Sequence, residues 1–159
     1  MNKPIKRDPA IQPLSRDHHH GLLLCWKIRI GFSKGVSPER IKTYAEWFYK
    51  KHLTGHFEIE EKYVFPVLGN ENELVKQALS EHMLLEKLFT DNTDAVGSLK
   101  KISTELEKHI RFEERALFNE IQNAASAEEL DIIKKHHSDK KFIEELKDVF
   151  WKLPGLSEK

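Results

Sequence analysis

Two ten-residue segments of this chain repeat each other: His56-Phe57-Glu58-Ile59-Glu60-Glu61-Lys62-Tyr63-Val64-Phe65 and His109-Ile110-Arg111-Phe112-Glu113-Glu114-Arg115-Ala116-Leu117-Phe118. Both read His-x-x-x-Glu-Glu-x-x-x-Phe. On a helix with 3.6 residues per turn, a His and the Glu four positions later share one face, one turn apart, so both can reach a single metal centre. A weaker echo pairs Asp17-His18-x-x-x-Leu22 with Glu81-His82-x-x-x-Glu86. Nine His (18, 19, 20, 52, 56, 82, 109, 136, 137) stand among 159 residues, and the chemistry they offer beside 19 Glu is metal ligation by nitrogen and oxygen.

The elements that must position these groups read as helices. Apolar residues recur at intervals of three and four, seven Gly and six Pro are spread thinly, and no run alternates with period two. A first helix fits about residues 14–32, with Gly31 and Gly35 at its exit. Ser37 as N-cap and Pro38 at the first helical position open a second, which Pro66 stops near Phe65. After the turn at Gly69-Asn70 a third covers about 72–91 and a fourth about 97–122; the capping-box pattern Ser126-Ala127-Glu128-Glu129 opens a fifth that ends before Pro154. Short connections imply antiparallel neighbours. The expected fold is all-α: an up-down four-helix bundle over about 12–122 with an additional C-terminal helix over about 126–152, in a single domain spanning 1–159.

In that bundle the polar groups fall on the inward stripes. Ile102, Leu106, His109, Glu113, Leu117 and Ile121 share one face; so do Ala45, Phe48, His52, His56, Glu60 and Tyr63; Leu14, His18, Leu22 and Cys25; and Val75, Leu79, His82, Leu85 and Phe89. Counting residues from each turn at about 1.5 Å apiece sets His18, His56, His82 and His109 at one level, within about a turn. Burying Glu60 and Glu113 there without partners costs several kcal/mol each, and the stripes hold no Lys or Arg to offset it. Metal ions would. Four His and two Glu are too many for one zinc, which prefers four ligands. They suit two ions, each with two terminal His, bridged by both carboxylates and by an oxo or hydroxo group, with about one open position per ion. The reading is two Fe ions.

Composition excludes other classes. Cys25 is alone, so the chain has neither an internal disulfide nor a Cys-based cluster. Lys+Arg and Asp+Glu number 26 each, which gives no positive field for nucleic acid. No apolar run approaches the roughly 18 residues of a membrane span, and the N-terminus lacks a signal's apolar core, so a soluble, cytoplasmic protein is expected. No His has Glu three residues before it, unlike the ferritin-like carboxylate proteins, and zincin, dinucleotide, P-loop and nucleophile-elbow patterns are absent.

At His56–Phe65 and His109–Phe118 the sequence resembles the hemerythrin-like (HHE cation-binding) domains, over about residues 12–122. It is closest to the subset that includes the iron-centre repair proteins, where the fourth helix also carries His-x-x-x-Glu. The resemblance implies a non-haem di-iron centre that binds or reduces a small oxidant such as O₂, peroxide or NO. It matches His18, His56, Glu60, His82, His109 and Glu113 to the family's ligand positions. Oxygen-carrying hemerythrins have a second His four residues after the third-helix His and a carboxylate five after the last; those places hold Glu86 and Glu114, and Glu86 in place of a His points away from a reversible carrier. The Cys-bearing N-terminal portion of the repair proteins has no counterpart in residues 1–13. The alternative is a metal-dependent sensing or interaction module without turnover; whether turnover occurs and the oligomeric state are left open by the residues.

Other residues are expected elsewhere. His19 and His20 rotate away from the His18 stripe, His136 and His137 belong to a solvated face of the fifth helix, and Trp26, Trp47, Trp151 and Cys25 pack. His52 is expected in core hydrogen bonding, Glu86 as a less favoured extra ligand, and Glu61 and Glu114 either orient ligands or are solvated.

Overall fold

The structure is a computed structural model and describes residues 6–137 and 142–152; among them every regular element is helical. Helix α1 (Gln12–Ser33) leaves through Gly35, whose φ of 73° is open to Gly at little cost. The next rod begins at Ser37, with Pro38 in the first turn, and runs as α2 (Pro38–Phe48) and α3 (Thr54–Ile59). Two π turns, Tyr49–Leu53 and Glu60–Val64, interrupt it, and a 3₁₀ turn, Phe65–Val67, ends it at Pro66. Gly69, at φ 86°, makes the next turn. Helix α4 (Glu73–Thr90) is capped by Asn72, whose side chain accepts from the N–H of Leu74 and Val75. Helix α5 (Ala95–Phe112) is capped by Asp94 and continues through the π turn Glu113–Leu117 into α6 (Phe118–Ala124). The expected capping box is present, with Ser126 and Glu129 each satisfying the other's backbone at the start of α7 (Ala127–His136).

Packing matches the apolar stripes. Helix α5 lies against α1, α2 and α4, and α7 rests on the π turn Glu60–Val64. Gly21 lets the Ile110 side chain of α5 pack close on α1, since a methyl there would lie 2.7 Å from Ile110 Cδ1. Two apolar layers result. One gathers Cys25, Ile28, Leu85, Leu99, Ile102, Leu106 and Ile110; the other gathers Leu14, Val64, Phe65, Val75, Leu117, Phe118 and Ile121. A buried side chain of this size contributes roughly 1.5–3 kcal/mol. His18, His56, Glu60, His82, His109 and Glu113, all buried, lie on the same rods between residues of the two layers.

The fifth helix is shorter than expected. It ends at His136, and among the described residues 142–152 contain no helix. That stretch forms a strap over α1 and α2, held by contacts that regular helical phasing could not make together. Phe142 stacks on His20 at 4.2 Å and tilts onto His52 at 4.5 Å; Phe150 is buried against Gly31; Trp151 faces Tyr44. Glu144 accepts from Lys27 Nζ and Tyr44 Oη, and Asp148 pairs with Arg40. Gly31 therefore does not mark the exit of α1; it makes room for Ile41 and Phe150. Trp26 is largely exposed, whereas Trp47 and Trp151 pack as expected.

Candidate metal centre

The local chemistry starts with the repeat. Glu60 and Glu113 are each the first residue of a π turn, and the N–H that closes each turn on the Glu carbonyl belongs to the repeat's last residue, Phe65 or Phe118. A π turn inserts one residue and shifts the phase of the helix beyond it. The phenyl rings thereby reach the neighbouring rods: Phe118 stacks on His18 at 5.2 Å, and Phe65 lies 5.4 Å from His82. One more ring, Phe57, stacks on His82 at 3.8 Å.

All six expected residues converge. They form two groups of ligand atoms, each group within 4.8 Å: His18, His56, Glu60 and Glu113 in one, Glu60, His82, His109 and Glu113 in the other. The carboxylates span both. Glu60 Oε2 is 3.1 Å from His56 Nε2 while Oε1 is 3.1 Å from His82 Nε2. Glu113 Oε1 is 2.9 Å from His18 Nε2 while Oε2 is 3.2 Å from His109 Nε2. For ligand bonds of about 2.1 Å, two donors at right angles around one ion lie about 3 Å apart, so these spacings suit neighbouring coordination positions.

The surroundings of the imidazoles fix which nitrogen faces inward. His18 Nδ1 lies 2.6 Å from Glu114 Oε2, His56 Nδ1 2.9 Å from Asp17 Oδ2, His82 Nδ1 2.7 Å from Glu61 Oε2 and His109 Nδ1 2.6 Å from Glu81 Oε1. A carboxylate only accepts, so each Nδ1 carries a proton, and it is in the neutral form that each ring turns an Nε2 lone pair inward. His56 Nε2 and His18 Nε2 then face each other at 3.2 Å, lone pair to lone pair. Both oxygens of Glu60 and of Glu113, and Nε2 of His82 and His109, are buried without a hydrogen-bond partner among the described residues. A buried centre made of acceptors is the condition a cation satisfies. The donor set of imidazole and carboxylate suits iron, manganese or zinc alike.

The four outer carboxylates make a closed ring. Asp17 beside His18 holds the His on the second rod; Glu61 beside Glu60 holds the His of α4; Glu81 beside His82 holds the His of α5; Glu114 beside Glu113 holds the His of α1. Glu61 and Glu114, which the sequence allows either to orient ligands or to be solvated, both orient. Sequence reasoning gives Asp17 and Glu81 no role, although an acid directly before His18 and before His82 is visible there.

In the metal-free chain Glu60, Glu113 and the outer carboxylates hold a second proton on His56, His82 and His109, on the Nε2 that a metal would otherwise take. Burial opposes charging His56, but Glu60 and Asp17 outweigh it and keep its pKa at about 10. Burial likewise opposes His82 and His109, which Glu113 and the other carboxylates hold at about 11 and about 9. Burial pushes Glu113 up, yet His109, His18 and His82 keep it well below the usual carboxylate range.

The remaining candidates stay out of the centre. Glu86 is exposed on α4. The π turn Tyr49–Leu53 shifts the second rod so that Leu53 is buried and His52 is only half-buried, against Trp47 and Phe142. His136 stacks on Tyr63, and His137 Nε2 sits 2.8 Å from Asp17 Oδ2, so neither is merely solvated. Cys25 is buried and its thiol pKa is pushed up to about 12, that of an inert small hydrophobe. No helix among the described residues is long and apolar enough to cross a membrane. Comparison with known proteins finds no family model, no curated protein and no solved structure that matches this chain.

Proposed function

We propose that this chain is a non-haem di-iron protein of hemerythrin-like build, an up-down four-helix bundle with an additional C-terminal helix, that binds or reduces a small oxidant such as O₂, peroxide or NO. The observation that carries the reading is the buried centre in which both oxygens of Glu60 and Glu113 lie, among the described residues, without a hydrogen-bond partner and between the Nε2 atoms of four His. His18 and His56 would hold one iron and His82 and His109 the other, with Glu60 and Glu113 shared between them. Iron bound there supplies redox chemistry and open coordination to a molecule of a few atoms. The chain's own residues orient and exclude: Asp17, Glu61, Glu81 and Glu114 fix the rings, while Phe57, Phe65 and Phe118 wall the centre with apolar surface that keeps water out. That lining suits small, weakly polar ligands over anionic metabolites.

The test is spectroscopic. Protein made under iron-replete conditions should show ligand-to-metal absorption when oxidised and a changed spectrum when the reduced form meets NO. Iron-loaded protein that ignores NO, O₂ and peroxide alike would sink this reading. A second reading, a sensing module without turnover, draws on the way the outer carboxylates tie all four rods together, so that ligation and helix packing are one equilibrium. It expects iron removal to change thermal stability or partner binding with no turnover found.

A further inference from the structure

The two halves of the centre have matching inner groups but unlike support. Around His18 and His56 the outer carboxylates are themselves anchored from outside the four rods or from the first turns of α1. Glu114 Oε2 accepts from Ser15 Oγ at 2.8 Å, and Arg7, on the arm before α1, donates to the Glu114 carbonyl and lies 3.4 Å from Oε1. Arg7 is fixed in turn by Asn119 Oδ1 at 2.8 Å and sits over the Phe118 ring. Asp17 Oδ2 accepts from His137 Nε2 at 2.8 Å as well as from His56. Around His82 and His109 the support is thinner: Glu81 accepts from Gln77 at 3.0 Å, and among the described residues Glu61, nearly half exposed, is bonded to His82 alone.

We infer that Ser15, Arg7 and His137 are positioning residues for the His18/His56 half of the centre, making it the rigid, tight metal position and leaving the His82/His109 half as the looser one. A ring held by a carboxylate that cannot swing keeps its lone pair aimed at the ion, and loss of such outer partners typically costs about 10–100-fold in metal affinity. Arg7 and His137 lie on the arm before α1 and at the end of α7, so segments outside the ligand-bearing helices set the difference. This inference rests on the di-iron reading.

The experiment uses the full chain loaded with ⁵⁷Fe, with chelator competition and Mössbauer spectra of wild type, Ser15→Ala, His137→Phe, His137→Gln and, as a control on the strap, Arg40→Ala. Wild type should hold two irons and release one at lower chelator concentration. Ser15→Ala and His137→Phe should weaken the tight iron about 10–100-fold, change its spectral component and leave the other unchanged. His137→Gln, whose amide can still donate to Asp17, should restore it, and Arg40→Ala should match wild type. A merely structural role would lower stability without moving one spectral component alone. Equal release of both irons in wild type, parallel loss of both in the variants, or no change in any variant would overturn the inference while leaving the di-iron reading intact; wild type without iron would overturn both.

Discussion

At the scale of single residues, the inner six are legible in the sequence because ligation needs a His and a Glu on one helical face, and four-residue spacing writes that into the chain. The outer four are not, because Asp17, Glu61, Glu81 and Glu114 act across helix interfaces that spacing along one helix cannot reveal. Their roles separate by substitution. On the di-iron reading, Glu113→Ala would remove a donor from both irons and should drop iron content from about two to below one per chain by elemental analysis, whereas Glu81→Gln should keep both irons with affinity lowered about 10–100-fold. Protons give a further check. His56, His82 and His109 hold theirs up to about 10, about 11 and about 9 in the metal-free chain, so iron uptake at pH 7 must expel protons, measurable with an indicator in weak buffer. Linkage fixes the sign for stability. These raised values stabilise the metal-free fold fully below the unfolded His pKa of about 6.5, and that stabilisation is lost as pH rises through the folded values. Denaturant melts of metal-free protein should therefore weaken from about pH 7 to pH 11; a flat or rising profile would contradict the arrangement.

At the scale of elements, the helices are readable from apolar period and caps, and the structure returns Ser37-Pro38 and the Ser126/Glu129 box at their starts. Two features are not readable. The π turns depend on a slip of backbone hydrogen bonds that leaves no apolar signature, though they account for the repeated Phe. The strap imitates a helix in sequence because Phe142, Leu146 and Phe150 keep a four-residue period, yet Leu146 is 71% exposed while Phe150 is buried, and Glu144 is drawn to the buried Lys27. Buried Lys27 also lies 4.1 Å from the Trp151 ring, so the strap answers a charge that α1 brings inward. Glu144→Ala removes the one carboxylate that pairs with Lys27 among the described residues and should cost about 1–3 kcal/mol in denaturant unfolding, with iron content unchanged. Loss of iron instead would tie the strap to the centre more closely than its contacts do.

At the scale of the whole molecule, the fold is two apolar layers with one polar layer between them. The level shared by four His is foreseeable from the distances to the turns, because a helical rise is fixed at about 1.5 Å per residue. The charge of the polar layer is only half foreseeable: the sequence pattern marks Glu60 and Glu113, but Asp17, Glu61, Glu81 and Glu114 stand just outside them. On the di-iron reading two cations would offset that many acids around one buried point, and their binding would add to stability by mass action. Removing iron with a chelator at pH 8 should lower the melting temperature, and His109→Ala should lower that of iron-loaded protein by more than it lowers that of the metal-free form. The most direct measurement is iron per chain by elemental analysis of protein made and gently purified under iron-replete conditions. About two irons is the expected result; none, or a single ion that added iron cannot raise, would contradict the paired centre.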